Sequence, residues 1–528
     1  MAPAAPQVAP AAAAVDAARE ALAGAARHLA GVDPDSHQAA LYDLAHAAAA
    51  IEAARAVLAY GARGEVEAAI ACAFVADAVH DMASRMLGRE AAWGLGPAAL
   101  EEGLELVRAY RSADFVAGLA GRPGPRHLDA DFEMVQDTFR RFADDKIRPV
   151  AEHVHRTNGD IPEAVIAGLA ELGTFGLSVP EEYGGFAAGG EGEYMAMVVA
   201  TEELSRASLG VGGSLITRPE ILTRALVKGG TEEQKQQWLP PLAAGQIMAA
   251  VAVTEPDFGS DVAGIGVSAT RAGDGWLING VKTWCTFAGR ADVVMLLART
   301  EPDRSLAHRG LSLFVVPKPR GVGHAFDFSQ PGGGRMQGRA IDTIGYRGMH
   351  SFEVALEDWQ VPHDSLIGGD AGLGRGFYLQ MEGFENGRLQ TAARAVGVMQ
   401  AAYEAAHDYA ANRVVFGRPV GDYQLTRVKL GRMAAIIQSA RQFMYEVARL
   451  MARGEGAMEA SMVKAYACRA AEWVTREAVQ IHGGMGYAEE FPVSRYFVDA
   501  RVLSIFEGAD ETLALKVIAR RLLAGAAG

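Results

Sequence analysis

The chain has 528 residues, half of them hydrophobic and 22% charged, with a formal net charge of −14. That length exceeds one small core and points to three or four units at about 150 residues each. The acidic balance weighs against nucleic acid or an anionic membrane as partner, since both need a basic face. Cys72, Cys285 and Cys468 are the only cysteines and lie far apart. They form neither a disulfide framework nor a metal spacing, which fits a reducing compartment with no metal site. The start, "MAPAAPQVAP", lacks a basic n-region before an apolar core. No apolar run reaches the roughly 18–20 residues of a membrane helix, so a soluble, cytoplasmic protein is expected.

In chain order, residues 1–13 are Ala/Pro-rich and read as a mobile tail. Residues 14–121 read as alanine-rich helices, with Leu41, Leu44, Ala48, Ile51, Ala54 and Leu58 giving one apolar stripe. "GRPGPRH" is a linker, because its prolines and glycines cannot continue a helix. This gives an Ala-rich extension and linker over 1–126 and an α domain over 127–246. In the latter, Phe132, Val135, Phe139 and Phe142 repeat at helical spacing. A β domain follows over 247–365. "GWLINGVKTWC" is read as a hairpin turning at Asn279-Gly280, and "DFSQPGGGRMQGRAIDT" as a Gly-rich loop. "DVVMLLART", "GLSLFVVPK" and "HSFEVALEDWQV" are strand-like. Long helices return over 366–528 and read as a bundle.

Several stretches carry candidate chemistry. "AVTEPDFGSDVAG" offers the hydroxyls of Thr254 and Ser260, while Gly259 permits close backbone approach to a flat ligand; an ordinary loop is the equal alternative. "KTWCTFAGRADV" adds Trp284 and Thr286; a strand tryptophan is usually core, but this one also suits packing on an extended ring. In "NRVVFGRPVGDYQ", Arg413 and Gln424 could hold a diphosphate or simply be solvated helix ends. "QIHGGMGY" has three glycines where a helix C-cap needs one, which suggests backbone lying against a ligand or a neighbouring subunit. His482 reads as structural. "SIFEGADETL" breaks a helix pair with Glu507 beside Gly508: a helix stop, or a base. No GxGxxG opens a helix after a strand and no GxxxxGK[ST] occurs, so neither a Rossmann nor a P-loop site is indicated.

"VTEPDFGSD", "WLINGVKTWCT", "NRVVFGRPVGDYQ", "QIHGGMGY" and "IFEGADET", in that order over roughly 127–525, resemble the acyl-CoA dehydrogenase family. The resemblance implies a mainly α fold with a central β-barrel or sandwich domain, a C-terminal four-helix bundle and an added N-terminal helical extension. It implies FAD as cofactor, an acyl-CoA substrate and electron-transfer flavoprotein as acceptor. Assembly as a homodimer or homotetramer is implied as well. By position, Thr254, Gly259 and Ser260 match a loop near the flavin, and Trp284 and Thr286 the strand backing its ring. Arg413, Phe416 and Gln424, with Gln480, Gly483 and Gly484, match residues holding the FAD diphosphate and adenosine across the dimer. Ser260, Arg388 and Gly508 match substrate contacts, Arg388 at the CoA arm. Glu507 matches the base; some members place it before the arginine equivalent to Arg388, where this chain has Gly387. Ala509 and Glu511 depart from the Thr and Gln that many members carry next to the flavin.

The implied reaction is removal of an α-proton by Glu507 with hydride transfer from Cβ to flavin N5. It requires a carboxylate whose charged form is disfavoured by burial and donors at the thioester oxygen. Gly508 would let the backbone N–H and the carboxylate of Glu507 face one substrate. The long helical extension also resembles a subgroup acting on (2S)-methylsuccinyl-CoA in the ethylmalonyl-CoA route, which forms mesaconyl-C1-CoA. Arg347 and the loop 328–343 are candidates for the free carboxylate of that substrate, with a structural ion pair the preferred role for Arg347. Rival readings are a dehydrogenase for another short branched or glutaryl-type substrate, an oxidase-like enzyme, or a nucleic-acid-binding flavoprotein of the same fold.

Overall fold

The structure, a computed structural model, describes residues 5–527. The chain forms two compact units: one runs up to Asp137 and resumes at Thr391, and the other spans Thr138–Gln390.

In the first unit, helices α1 (Val8–Leu29), α2 (Gln38–Gly61) and α3 (Glu65–Met86) lead the extension, and shorter helices, among them Glu101–Tyr110 and Ala113–Ala117, complete it. The stretch read as a mobile tail is thus helical from Val8. Alanine favours helix, and Pro10 falls in the first turn, where the missing N–H costs nothing. Residues 1–4 of that tail lie outside the described residues. α2 does not carry a single apolar stripe. Leu41, Leu44, Ala48, Ile51 and Ala54 are buried, but so are Ala45, Ala47, Ala49, Ala50 and Ala53, while Leu58 is only half-buried. The cause is packing on several sides: α2 contacts α1, α3 and the bundle helices Gln424–Ala452 and Ala457–His482. Small side chains let helix axes approach closely on all of these faces.

Charged pairs complete the packing. The Asp77 carboxylate accepts from Arg111 Nε and Arg432 Nε, 2.6 Å each, tying α3 to the end of the helix Glu101–Tyr110 and to the bundle. The bundle also includes the latter part of the long helix Gly376–Asn412 and the helix Pro492–Leu503. After Asp510 the chain runs helically to Ala527, with a π-helical stretch Leu513–Ala519.

The second unit sets helices against a single curled sheet of eight strands. In chain order these are β1 (Ala249–Ala252), β2 (Ser268–Ala272), β3 (Gly275–Thr286), β4 (Val293–Arg299), β5 (Leu311–Pro317), β6 (Ala325–Ser329), β7 (Arg335–Ile341) and β8 (Ser351–Pro362). The hydrogen-bonded order is β1-β4-β2-β3-β8-β7-β6, with β5 on β4. Every residue of β4 is buried. Met295 and Leu297 of β4 and Leu313 of β5 share a core with Leu222 and Leu226 of the helix Thr217–Gly229 and Leu239 of the helix Glu232–Ala243. Full burial of such side chains contributes about 1.5–3 kcal/mol each. A Thr231–Gln234 capping box starts the helix Glu232–Ala243. The Gln234 amide also donates to Asp364 O and Leu366 O at 2.7 Å, fastening that helix to the β region.

Two turn assignments are corrected. The hairpin does not turn at Asn279-Gly280; β3 runs straight through it, and the turn lies at Gly273-Asp274, where Ala272 faces Gly275. Asn279-Gly280 instead sits at a register shift against β8, with Gly280 at φ +131°. An added Cβ at Gly280 would stand 2.8 Å from Val267 Cγ2, so glycine serves close approach within the sheet. The Gly-rich stretch is not a loop either. β6 and β7 pair from Ala325–Arg339 to Ser329–Arg335, and only 330–334 turn. The glycines there sit at a tight hairpin end.

Candidate functional site

In the second unit, the Thr254 loop and the Trp284 strand are locked together. Thr283 N–H donates to Thr254 O at 2.9 Å. Beneath them, buried Lys282 donates to Glu255 Oε1 at 2.9 Å and to Val253 O at 2.8 Å. Glu255 also accepts from the N–H groups of Gly266 and Val267, at 2.6 and 2.9 Å. Burial holds the Lys282 ammonium below its ordinary pKa, against the opposing pull of Glu255. Sequence reading missed this pair. Its only signal was an acid inside the Thr254 motif and a lysine two residues before Trp284.

A second register shift, between Lys282 and Cys285, places Trp284 at φ +57°. The bulge turns its indole outward, 54% exposed, whereas Thr286 is buried with its hydroxyl 2.9 Å from Ser351 Oγ. The two residues therefore face different surroundings. Gly259 and Ser260 are exposed at the loop tip and Thr254 is half-buried. Arg388 is buried on the helix Gly376–Asn412, directly after Gly387.

The first unit carries the other predicted residues. Val414–Val415 pairs antiparallel with Arg418–Pro419, closed by the two-residue turn Phe416-Gly417. Both turn residues have positive φ, +49° and +84°, as a type I′ turn requires. Phe416 is an unusual choice there, and its ring is 98% exposed. Arg413 is exposed beside it, and exposed Gln424 donates to Asp114 Oδ1 at 2.7 Å. Gln480, Gly483 and Gly484 are also exposed, and open space surrounds a Cβ built on either glycine. Gly486 differs: its Cβ would lie 2.3 Å from Val479 O, so this glycine serves internal packing. His482 is structural, as expected. It is buried, its Nδ1 is 2.8 Å from Ala478 O, and its ring stacks on Tyr409.

Glu507 sits at φ +55° in the break between the helix Pro492–Leu503 and the turn beginning at Asp510, and is half-buried. Gly508 follows at φ +96°. A left-handed glutamate persists only where its surroundings over-determine it. Here Lys464 Nζ donates to Gly508 O, and Arg394 lies over the Phe506 ring at 4.8 Å. Ser504 Oγ donates to Glu472 Oε1 at 2.5 Å, and Asp510 N–H returns to Ser504 O at 3.1 Å. Glu511 is exposed.

Other candidates resolve differently. Among the described residues Arg347 has no ion-pair partner: it donates to Thr343 O and His155 O, at 3.0 and 2.9 Å, clamping backbone. Its neighbourhood 328–343 is largely the β6–β7 hairpin. Asp160, His324 and His350 gather closely, with His350 Nε2 at 3.1 Å from His324 Nε2 and 3.2 Å from Asp160. The rings are tilted with centroids 4.2 Å apart, and Gly159 O stands 3.1 Å from His350 Nε2. The ligand atoms of all three side chains lie within 4.8 Å of one another, close enough to hold a metal ion. The three cysteines are free and buried, and burial pushes the Cys285 and Cys468 thiols up to about 12. A recess of about 460 Å³ lined by Arg271, Trp276 and Arg309 contains none of the predicted site residues. No helix among the described residues is long and apolar enough to cross a membrane.

Three family models match in order: the N-terminal domain of acyl-CoA dehydrogenase over 129–246, its middle domain over 250–359 and its C-terminal domain over 374–523. A (2S)-methylsuccinyl-CoA dehydrogenase of Cereibacter sphaeroides is 44% identical over 401 residues, covering 76% of this chain and 71% of that protein. The mitochondrial short-chain specific acyl-CoA dehydrogenase of Bos taurus is 36% identical over 75% of this chain and 91% of its own length. Among solved structures, butyryl-CoA dehydrogenase from Megasphaera elsdenii superposes with a TM-score of 0.68 at 29% identity, covering 76% of this chain and all of that one. A glutaryl-CoA dehydrogenase from Mycobacterium smegmatis, solved in complex with FADH2, gives 0.66 at 26% identity over 75% of this chain and 95% of its own. The chain belongs to the acyl-CoA dehydrogenase family, an FAD-dependent enzyme that dehydrogenates acyl-CoA thioesters.

Proposed function

We propose that this enzyme converts (2S)-methylsuccinyl-CoA to mesaconyl-C1-CoA, with Glu507 as the base. The observation that carries the base assignment is the conformation of Glu507, a left-handed carboxylate on a tethered break between helices and followed by glycine. The substrate reading leans on the 44% identical relative. In that match about a quarter of each chain lies outside the aligned part, whereas the short-chain relative is covered over 91% of its length.

The residues present suit a flat, diphosphate-bearing cofactor. Trp284 offers an outward indole face beside the Thr254–Ser260 loop, with Thr286 further along the strand. Arg413, Phe416, Gln424, Gln480, Gly483 and Gly484 offer an exposed cation, an exposed ring, two amides and open glycine backbone. In this reading the first group supports the flavin ring, and the second holds the diphosphate and adenosine, across a homodimer or a pair of dimers. When bound, FAD accepts the hydride from Cβ. Glu507 takes the α-proton on its carboxylate. Its backbone N–H donates to the thioester oxygen, where negative charge grows. Ser260 and Arg388 contact the substrate, Arg388 at its CoA arm. Electrons then leave to an electron-transfer flavoprotein in the cytoplasm.

The test is anaerobic bleaching of the purified yellow protein by single thioesters: methylsuccinyl-, glutaryl-, isobutyryl-, 2-methylbutyryl- and butyryl-CoA. Fast bleaching by methylsuccinyl-CoA alone is the expected result. Faster bleaching by a monocarboxylic thioester overturns the substrate and keeps the reaction class. Glu507→Gln is expected to keep bound FAD and lose bleaching; retained bleaching removes Glu507 as base.

A further inference from the structure

We infer that Tyr42 and His46, from the N-terminal extension, are positioning residues for Glu507 and act through Asp510. The inference rests on the assignment of Glu507 as base and gives the extension a role in the reaction.

Asp510 lies three residues after Glu507 and opens the helical turn that ends the Glu507 loop. Its N–H donates to Ser504 O at 3.1 Å, closing the segment 504–510 into a loop. Any displacement of Asp510 is therefore passed to Gly508 and Glu507. The Asp510 side chain is buried, and one oxygen, Oδ2, receives both extension residues. Tyr42 O–H donates to it at 2.6 Å and His46 Nε2 stands at 3.1 Å. Tyr42 and His46 are one helical turn apart on α2, edge to face with ring centroids 4.5 Å apart. From the bundle, Arg469 stands near this carboxylate, with Nη1 4.0 Å from Oδ2 and 3.2 Å from the Tyr42 hydroxyl.

A buried carboxylate needs donors to stay ionised and in place. Burial pushes Asp510 up, yet bonds to His46 and Tyr42 and the Arg469 charge bring it below its ordinary value. The same burial pushes the Tyr42 hydroxyl up to about 12, so it remains a donor. Left-handed Glu507 is thus fastened on two sides. Lys464 and Arg394 hold Gly508 and Phe506 from the bundle, and α2 holds Asp510. A shift of about 1 Å at a reacting group can cost on the order of 100-fold in rate.

The experiment compares full-length, FAD-loaded Tyr42→Phe, His46→Gln and Asp510→Asn with wild type and with Glu507→Gln. The readouts are the anaerobic bleaching rate at saturating (2S)-methylsuccinyl-CoA, or butyryl-CoA if that thioester reduces wild type faster, the half-saturating concentration, FAD content and Tm. Tyr42→Phe and His46→Gln are expected to slow bleaching roughly 10-fold or more, with half-saturation and FAD content unchanged. Tyr42→Phe combined with Asp510→Asn is expected to be no slower than Asp510→Asn alone, because the two act through one contact. Asp77→Asn loosens the docking of α3 elsewhere, and should lower Tm while leaving the rate intact. Wild-type bleaching in Tyr42→Phe and His46→Gln, with Glu507→Gln inactive, overturns this inference alone. Slowing that follows Tm and appears equally in Asp77→Asn also overturns it. Fast bleaching by Glu507→Gln removes the base assignment, and this inference with it.

Discussion

Gly508→Ala tests whether the peptide after Glu507 needs glycine. At φ +96° an L side chain is strained, at a cost of about 1–2 kcal/mol. The new Cβ would also stand 2.9 Å from Leu513 Cδ2 and 3.2 Å from its Cγ. Leu513 is almost fully buried, so its side chain has little room to yield, and overpacking of this kind costs about 1–3 kcal/mol. Loss of unfolded-state freedom returns about 0.4–1 kcal/mol. The net expectation is a destabilisation of about 2–4 kcal/mol, or roughly 5–15 °C in Tm at the usual sensitivity of large domains. Thermal unfolding followed by circular dichroism measures it, and anaerobic bleaching of the same samples reports the geometry at Glu507. Bleaching should fall further than FAD content, because the strain is relieved by moving the peptide that carries the proposed base. An unchanged Tm together with an unchanged bleaching rate would refute the reasoning.

Arg413→Ala should weaken FAD retention on gel filtration more than Glu507→Gln does; equal retention counts against the assigned diphosphate site. Trp284→Ala removes an outward indole, so the Tm of the flavin-free protein should change by no more than about 0.5 kcal/mol equivalent, while flavin retention falls. Collapse of the flavin-free fold would instead make Trp284 a core residue. Burial lowers the pKa of His46, His80 and His482. A depressed histidine binds its proton more readily in the unfolded chain, so stability is fully present above about pH 6.5 and falls as the pH drops below it. Tm should decline as the pH falls from about 6.5 to 5.5, and His46→Gln should flatten that decline; an identical slope in the variant would discount His46.

The helices and the strand-like runs of the central region were legible because their signals are local. Alanine content, apolar periodicity and runs of β-branched residues act within a few positions. So was the order of motifs that implied the family, and with it Glu507 beside Gly508. Turn placement was not. Asn-Gly is a hairpin signal only when both neighbours can pair with each other; here β8 took β3 as its partner along the whole strand and turned Asn279-Gly280 into a bulge. Trp284 facing outward likewise depended on a bulge against β8, since one shifted residue exchanges the two faces of a strand. Nothing in the composition of α2 distinguished a helix with one buried stripe from one packed on several sides.

The contacts that fix the candidate site were the least legible. Glu255 and Lys282 stand 27 residues apart, and Tyr42 and Asp510 stand 468 apart. Sequence by itself determined which residue types were available and where the backbone had to break, because backbone preference is a property of neighbours. Only the tertiary structure decided which buried charges meet. A buried lysine or aspartate is tolerated only where the fold delivers a partner, and that partner can come from anywhere in the chain.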